Sequence, residues 1–354
     1  MTKTKKKIGR QTRSNIITYG IVILAYIIVQ TMINTGSISS LLEGLMVPLC
    51  IYVILAVSLN LVVGILGELS LGHAGFMCVG AFASAFFSRC MRGEMESDGL
   101  RFFLALLIGV AAAAVFGLLI GIPVLRLKGD YLAIVTLAFG EIIKNLVNVL
   151  YIGKDSSGFH ISTKDVMALD ADGTMIISGP QGITGTPRDA TLLIGIILVL
   201  ITLFIVINLT NSRSGRAIMS IRDNRIAAES IGINITKYKL MAFTVSAALA
   251  GSAGVLYAHN LSTLTATTNN FGYNQSIMIL VFVVLGGIGN IRGSMIAAVI
   301  LTLLPELLRG LSDYRMLIYA IVLIVMMLFN WAPKAIEWRE KYLSFGRKKK
   351  EAVK

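Results

Sequence analysis

Ten apolar intervals punctuate this chain, at residues 16–34, 45–66, 71–88, 101–122, 131–150, 191–209, 240–259, 273–290, 294–310 and 316–332. Each approaches the roughly 20 mostly apolar residues that a helix needs to cross a bilayer core. The expected fold class is therefore all-α, a polytopic integral membrane protein of about 8–10 transmembrane helices. Composition agrees: 55% of the residues are hydrophobic and only 14% charged, with mean hydropathy +0.78. Soluble domains are about 45–50% apolar and about 25% charged.

The formal charge of +13 raises the question of nucleic acid, but its placement answers otherwise. The first 15 residues carry six basic side chains, and the stretch after Lys334 is again strongly basic, ending in Arg347–Lys350. The interval 211–239 carries Arg213, Arg216, Arg222, Arg225, Lys237 and Lys239 against Asp223 and Glu229. Short basic loops stay on the cytoplasmic side. Ten spans put both tails there, along with Arg126, Lys128 and Arg292, and put the slightly acidic loop 151–190 outside. The charge is thus a topology signal with an attraction to anionic lipid. The domain plan is a basic tail (1–15), one transmembrane domain (16–332) and a second basic tail (333–354). Ile16–Ile33 follows basic residues as a signal peptide would, but it is longer than a typical apolar signal core and no clear cleavage site follows. It reads as an uncleaved first span.

Two stretches interrupt the apolar pattern. Gly64–Ala83, GILGELSLGHAGFMCVGAFA, combines five glycines with Glu68, Ser70 and His73. Irregular backbone at membrane depth is tolerated only when buried in protein or lining a cavity. The segment is either a broken or re-entrant helix near a pathway or a plain span packed through small residues. In the fifth apolar interval Glu141, Lys144, Asn145 and Asn148 fall at i, i+3, i+4 and i+7, one helical face. Ionisable groups inside a membrane are costly and usually face the bundle interior or a wet cavity. This face is the leading candidate for lining a translocation pathway, with a structural ion pair as the alternative.

Between Arg216 and Ile231 there is no Gly or Pro, so one helix is expected there, stopped by Gly232. The loop 151–190 is too long for a simple connector, with turns at Ser156-Ser157-Gly158 and Gly179–Ile183. Lys239–His259 is rich in Ala, Gly and Ser, which favours close helix approach through Gly251 and Gly254. Leu285–Gly293, LGGIGNIRG, has the wrong spacing for a dinucleotide fingerprint and reads as a tight turn. It parallels Gly64–Ala83 faintly, each a Gly-rich turn leading into a small-residue span. Glu306 and Arg309 are expected to form an interfacial pair.

Catalytic signatures are missing. There is no phosphate-binding G-x-x-x-x-G-K-[ST], since Asn148 stands where its first Gly is needed before Gly153-Lys154. No metal-ligand spacing, no cofactor motif and no nucleophile elbow are present, and Cys50, Cys78 and Cys90 read as packing residues. An enzyme reading has little support.

Four stretches together resemble the LivM-type permease subunits of branched-chain amino acid ABC importers. They are Gly67–Ala74 with its G-x-x-SLGHA run, Leu125–Val147, Gly215–Asn234 (GRAIMSIRDNRIAAESIGIN) and Leu285–Gly293, and the resemblance extends from Ile51 to about Leu328. Gly215–Asn234 is similar to the cytoplasmic coupling loop of that family. Ala227, Ala228 and Gly232 keep the spacing of its Glu-Ala-Ala signature, while Ile226 stands where the broad signature has Glu. The resemblance implies a permease subunit in a bacterial cytoplasmic membrane, importing leucine, isoleucine or valine. It implies pairing with a homologous LivH-type permease and two ATPase subunits docked on the 213–232 region. It also implies an extracytoplasmic binding protein at the loop 151–190. Gly215, Arg216, Arg222, Asp223, Ala227, Ala228, Glu229 and Gly232 are then the ATPase-coupling residues, and Ser70 and His73 join Glu141, Lys144, Asn145 and Asn148 as pathway candidates. An ABC permease for urea or short amides, or a self-contained ion-coupled transporter, remain the alternatives.

Overall fold

Each of the ten apolar intervals holds a helix among the described residues. The computed structural model describes residues 10–37, 39–95, 97–127, 129–155, 158–163, 173–308 and 314–331. The expected features at residues 1–9, Lys128, Ser156-Ser157, Arg309 and residues 332–354 lie outside these. In chain order the helices are α1 (Arg10–Asn34), α2 (Ser40–Asn60), α3 (His73–Cys90), α4 (Asp98–Val124), α5 (Asp130–Val149) and α6 (Leu192–Asn211). They continue with α7 (Arg213–Asp223), α8 (Arg225–Ser230), α9 (Ile235–Asn260), α10 (Thr268–Phe271), α11 (Tyr273–Gly286), α12 (Ile291–Leu307) and α13 (Arg315–Trp331).

Among the described residues, six helices are long and apolar enough to cross a membrane: Asn15–Asn34, Ser40–Leu66, α4, α5, α6 and α9. The four other expected spans are shorter or more polar helices, α3 with 18 residues, α11 with 14, and α12 and α13 with 17 each. Residues up to Val299 form one compact unit; residues from Ile300 form a second, to which the end of α12 and α13 belong.

Within the first unit α2, α3 and α9 are the interior and α1 and α4 its periphery. The Ser40–Leu66 span is 83% buried, against 11% for Asn15–Asn34 and 22% for α4. Small residues set the spacing. A side chain added at Gly80 of α3 would run into the Gly251 backbone of α9, one at Gly254 into the Met77 carbonyl, and one at Gly109 of α4 into the Gly80 carbonyl. Helices in lipid gain little from hydrophobic association, so backbone approach of this kind carries their packing. Phe76 fills the space between, edge-on to Phe243 and tilted on Phe139.

The long loop 151–190 holds regular structure that its composition does not announce. β1 (Tyr151–Asp155), β2 (Gly158–Ser162) and β3 (Thr174–Ser178) form an antiparallel sheet in the order β2-β1-β3. Tyr151 pairs with Ser162 on one side and Ser178 on the other, with a bulge at Ile152/Gly153. β4 (Ile183–Thr184) then pairs with β5 (Thr263–Leu264), which staples the loop to the end of α9. Arg92 donates to the Gly185 carbonyl at 2.7 Å, and Arg101 bridges Asp98 at 2.7 Å and Asp189 at 3.1 Å.

The Gly-rich segment breaks. α2 continues as a π-helical turn, Leu61–Leu66, and Gly67 ends it at φ +81, a conformation that residues with a Cβ adopt at a cost. Residues 68–72 are irregular, and α3 starts at His73. Of the two readings the sequence allows, the interrupted helix is the observed one.

Candidate functional site

The segment from Ser212 to Lys237, which holds the residues expected to couple, is a chain of capped pieces. Ser212 Oγ accepts from Gly215 N at 3.1 Å, Asn224 Oδ1 from Ala227 N at 3.0 Å and Asn234 Oδ1 from Lys237 N at 3.0 Å. Each side chain satisfies a backbone donor that a helix start leaves open. One helix over 216–231 was expected; two are observed, because Asn224 is extended (φ −155, ψ 103) and caps α8 instead of continuing α7. The predicted stop holds. Gly232, at φ +83, donates to the Glu229 carbonyl and Ile233 to the Ala228 carbonyl, the paired bonds of a Schellman close.

The predicted coupling residues divide by what they touch. Gly215 packs against the Leu209 and Thr210 carbonyls, where no side chain fits, and Arg216 donates to the Asn211 carbonyl at 3.1 Å. These two seat α7 on α6. Ala228 is buried with Ile221 and Ile235 in a small apolar core beneath Ile233 and Tyr238. Ala227 and Glu229 are exposed, and Asp223 receives two bonds from Arg222, at 3.2 and 3.1 Å.

Arg222 makes the connection that matters for the rest of the molecule. Its guanidinium donates to the Gly64 carbonyl at 2.8 Å, in the π-helical turn, and its aliphatic stem lies over Gly67. Gly64 in turn meets the Gly289 backbone so closely that neither Asn60 nor Gly289 leaves room for a side chain there. Asn60 ties the same point to α12, accepting from Gly289 N at 2.9 Å and donating to Ser294 Oγ at 2.8 Å. The two Gly-rich turns that parallel one another in sequence thus pack together, and α7 sits on their junction.

Lys239 adds a second tie, pairing with Glu68 in the break, both side chains largely buried. From the break the contacts run inward. Leu71 N donates to Thr136 Oγ1 of α5 at 3.0 Å, and Ala74 N to Ser276 Oγ of α11 at 3.2 Å. His73 Nε2 and Ser58 Oγ share a 2.7 Å hydrogen bond, both fully enclosed. Ser70 Oγ is buried with no hydrogen-bond partner in the structure.

The polar face of α5 forms a separate cluster. Lys144 Nζ binds Glu141 at 2.5 Å and Thr268 Oγ1 at 3.2 Å, Glu141 accepts from Tyr273 N at 2.8 Å, and Asn148 donates to the Ala266 carbonyl at 2.9 Å. The face closes on residues 266–273 between β5 and α11. Asn145 is exposed and takes no part in it. Ser70 comes from the neighbouring break and His73 from the first residue of α3, which touches α5 at Gly75 and Gly140.

Sequence reasoning missed Glu68, Lys239 and Asn60 as members of this arrangement, and also a second enclosed histidine, His259, which bonds Ser88 at 2.8 Å and stacks edge-on to Phe102. The polar identity of Glu68 inside a Gly-rich run was the available signal.

Comparison with known proteins points one way. The family described as branched-chain amino acid transport system / permease component matches residues 41–329. The high-affinity branched-chain amino acid transport system permease proteins LivM of Salmonella typhimurium and Escherichia coli are 36% identical over 297 residues, covering 81% of this chain and 67% of theirs. The fructose import permease protein FruG of Bifidobacterium longum is 22% identical over 341 residues, 93% of this chain and 94% of its own. No solved structure matches. The chain belongs to the branched-chain amino acid transport system permease family, as a multi-pass membrane subunit of an ABC importer.

Proposed function

We propose that this chain is the LivM-type half of an importer for leucine, isoleucine and valine. It pairs with a LivH-type permease, two ATPase subunits and an extracytoplasmic binding protein. The LivM relatives, matched at 36% identity over 81% of the chain, support this substrate class over the sugar carried by the more distant FruG relative. Both termini and residues 211–239 face the cytoplasm, and the sheet of residues 151–178 faces outward, an orientation supported by the basic character of the former.

The observation that carries the coupling mechanism is the bond from Arg222 to the Gly64 carbonyl. The ATPases dock on α7 and α8, where Ile226 of α8 and Ile231 just after it are exposed at 78% and 75%. The two isoleucines stand on an otherwise polar segment, and a docked subunit would cover them. ATP-driven closure pushes α7, and Arg222 and Lys239 carry that displacement into the break at 67–72, the point where α2 and α3 have no continuous helix to resist it. Ser70 in the break, His73 at the start of α3, and Glu141, Lys144 and Asn148 on α5 border the pathway that this movement opens and closes. Arg216, Gly215, Ala228 and Gly232 hold the lever in shape.

The test is purification of the tagged chain from its native membrane in a mild detergent, followed by identification of its companions. A P-loop ATPase and a homologous permease are expected, with ATP-dependent leucine uptake after reconstitution. Recovery of the chain alone, with uptake that collapses with the ion gradient, would contradict the reading.

A further inference from the structure

α3 begins at mid-membrane depth. Its third residue, Gly75, packs on Gly140 at the middle of α5, one of the helices long and apolar enough to cross a bilayer. A helix start carries about half a positive charge and leaves its first N–H groups open. Within a bilayer no bulk water answers those groups. A side-chain cap is the usual remedy. Here the N-cap residue is Gly72, and no side chain caps the helix.

Protein acceptors account for only part of the donors at this turn. Leu71 N is taken by Thr136 Oγ1 and Ala74 N by Ser276 Oγ, while Gly75 N turns back to the Gly72 carbonyl. The imidazole of His73 is held by Ser58. Among the described residues no acceptor meets the N–H groups of Ser70, Gly72 and His73, and Ser70 Oγ has no partner either. These donors are enclosed, with Ser70 1% exposed, His73 2% and Gly72 buried. Burial alternates along the segment, since Leu69 is 37% exposed and Leu71 half-buried. The Ser70 side chain therefore turns to the side of Gly72, away from its leucine neighbours.

Buried backbone donors are paired in nearly all native structures. Donors gathered at a helix start suit an anion, and helix starts at the midplane of transporters face anionic substrate groups. The carboxylates closest in the fold are engaged elsewhere: Glu68 by Lys239, and Glu141 by Lys144 and Tyr273 N. The acceptor that fits comes from outside the chain.

We propose that the start of α3 receives the carboxylate of the amino acid in transit, with Gly72 N, His73 N and Ser70 Oγ as its donors. This rests on the amino-acid importer reading above and adds the substrate group that the break recognises. The carboxylate is common to leucine, isoleucine and valine, so the site holds all three alike.

The experiment uses the complex of permeases and ATPases in mild detergent, without its binding protein. Its melting temperature is followed on adding leucine, valine, sodium chloride or leucinol, which has the side chain and amine of leucine but no carboxylate. Leucine and valine are expected to raise the melting temperature, and leucinol and chloride to leave it unchanged. Ser70→Ala removes a buried hydroxyl that has no partner, so without ligand the variant melts at or above the parent temperature. Its apparent affinity for leucine falls about tenfold, the loss of one hydrogen bond to a charged group. An equal shift with leucinol or chloride, or undiminished leucine affinity in Ser70→Ala, would overturn the proposal. So would a lower melting temperature of ligand-free Ser70→Ala, which would make the hydroxyl structural. ATP-driven leucine uptake is measured on the same preparation after the binding protein is restored. Its absence would overturn the importer reading and this inference together, whereas uptake beside an equal leucinol shift would overturn the carboxylate site alone.

Discussion

Arg222 and Gly64, 158 positions apart, are joined by a 2.8 Å hydrogen bond from guanidinium to carbonyl. The acceptor belongs to a π-helical turn, whose altered backbone pairing places Gly64 against Gly289 and leaves its carbonyl within reach of α7. One side chain thereby links the basic segment to both Gly-rich turns.

The close of α8 depends on Gly232 at φ +83. Proline fixes φ near −65° and removes the N–H that bonds the Glu229 carbonyl. Gly232→Pro is expected to leave membrane levels near normal and reduce ATP-driven uptake to background, measured in whole cells beside an immunoblot of the membrane fraction. Normal uptake would remove Gly232 from the coupling device.

Lys239 and Glu68 pair where water is scarce, with side chains 5% and 16% exposed. Removing one partner of a buried pair costs about 3–5 kcal/mol because the other charge is stranded. Lys239→Met is expected to lower the melting temperature of the purified chain, and Lys239→Met with Glu68→Gln to recover most of the loss. A double variant no more stable than the single one would mean that Lys239 acts through other contacts.

Helix spacing in the interior rests on Gly80, whose neighbour is the Gly251 backbone rather than a movable side chain. Gly80→Val is expected to destabilise by about 1–3 kcal/mol through overpacking. Gly44→Ala, where an added methyl meets nothing within 4 Å, should stabilise slightly, by about 0.5–1 kcal/mol. Thermal unfolding of both variants in one detergent makes the comparison.

On α5 the two roles of the polar face make different predictions. Glu141→Gln and Lys144→Met each break the 2.5 Å pair, and the double variant removes both charges from their shared site. For a pathway role, leucine uptake stays reduced in the double variant even as its melting temperature returns toward that of the parent. Full recovery of uptake along with stability would mean that the pair only clamps α5 to residues 266–273.

The helical plan was legible because it rests on local information. Apolar runs of span length mark α1, α2, α4, α5, α6 and α9, and the same runs locate α3, α11, α12 and α13. Gly232 was legible as a helix stop for the same reason. The split at Asn224 was not, since Asn is tolerated within helices and only its cap on Ala227 reveals the break. β1 escaped notice because Gly153, Lys154 and Asp155 break its apolar alternation, and β2 and β3 are five-residue strands whose pairing depends on β1. The face of Glu141, Lys144 and Asn148 followed from helical periodicity, whereas their partners Thr268, Tyr273 and Ala266 lie more than a hundred positions away. The ties of Arg222 to Gly64 and of Lys239 to Glu68 are of the same kind, set by how α7 and α9 pack on the break.

The most direct test is the ratio of leucine imported to ATP hydrolysed, measured in proteoliposomes holding the complete importer with Arg222→Glu in this chain. The carboxylate would face the Gly64 carbonyl where the guanidinium now donates, so the tie becomes a repulsion. The account predicts an assembled complex that hydrolyses ATP but imports almost no leucine. An unchanged ratio at wild-type uptake would contradict it, and would leave Arg222 as an ordinary charge on a basic loop.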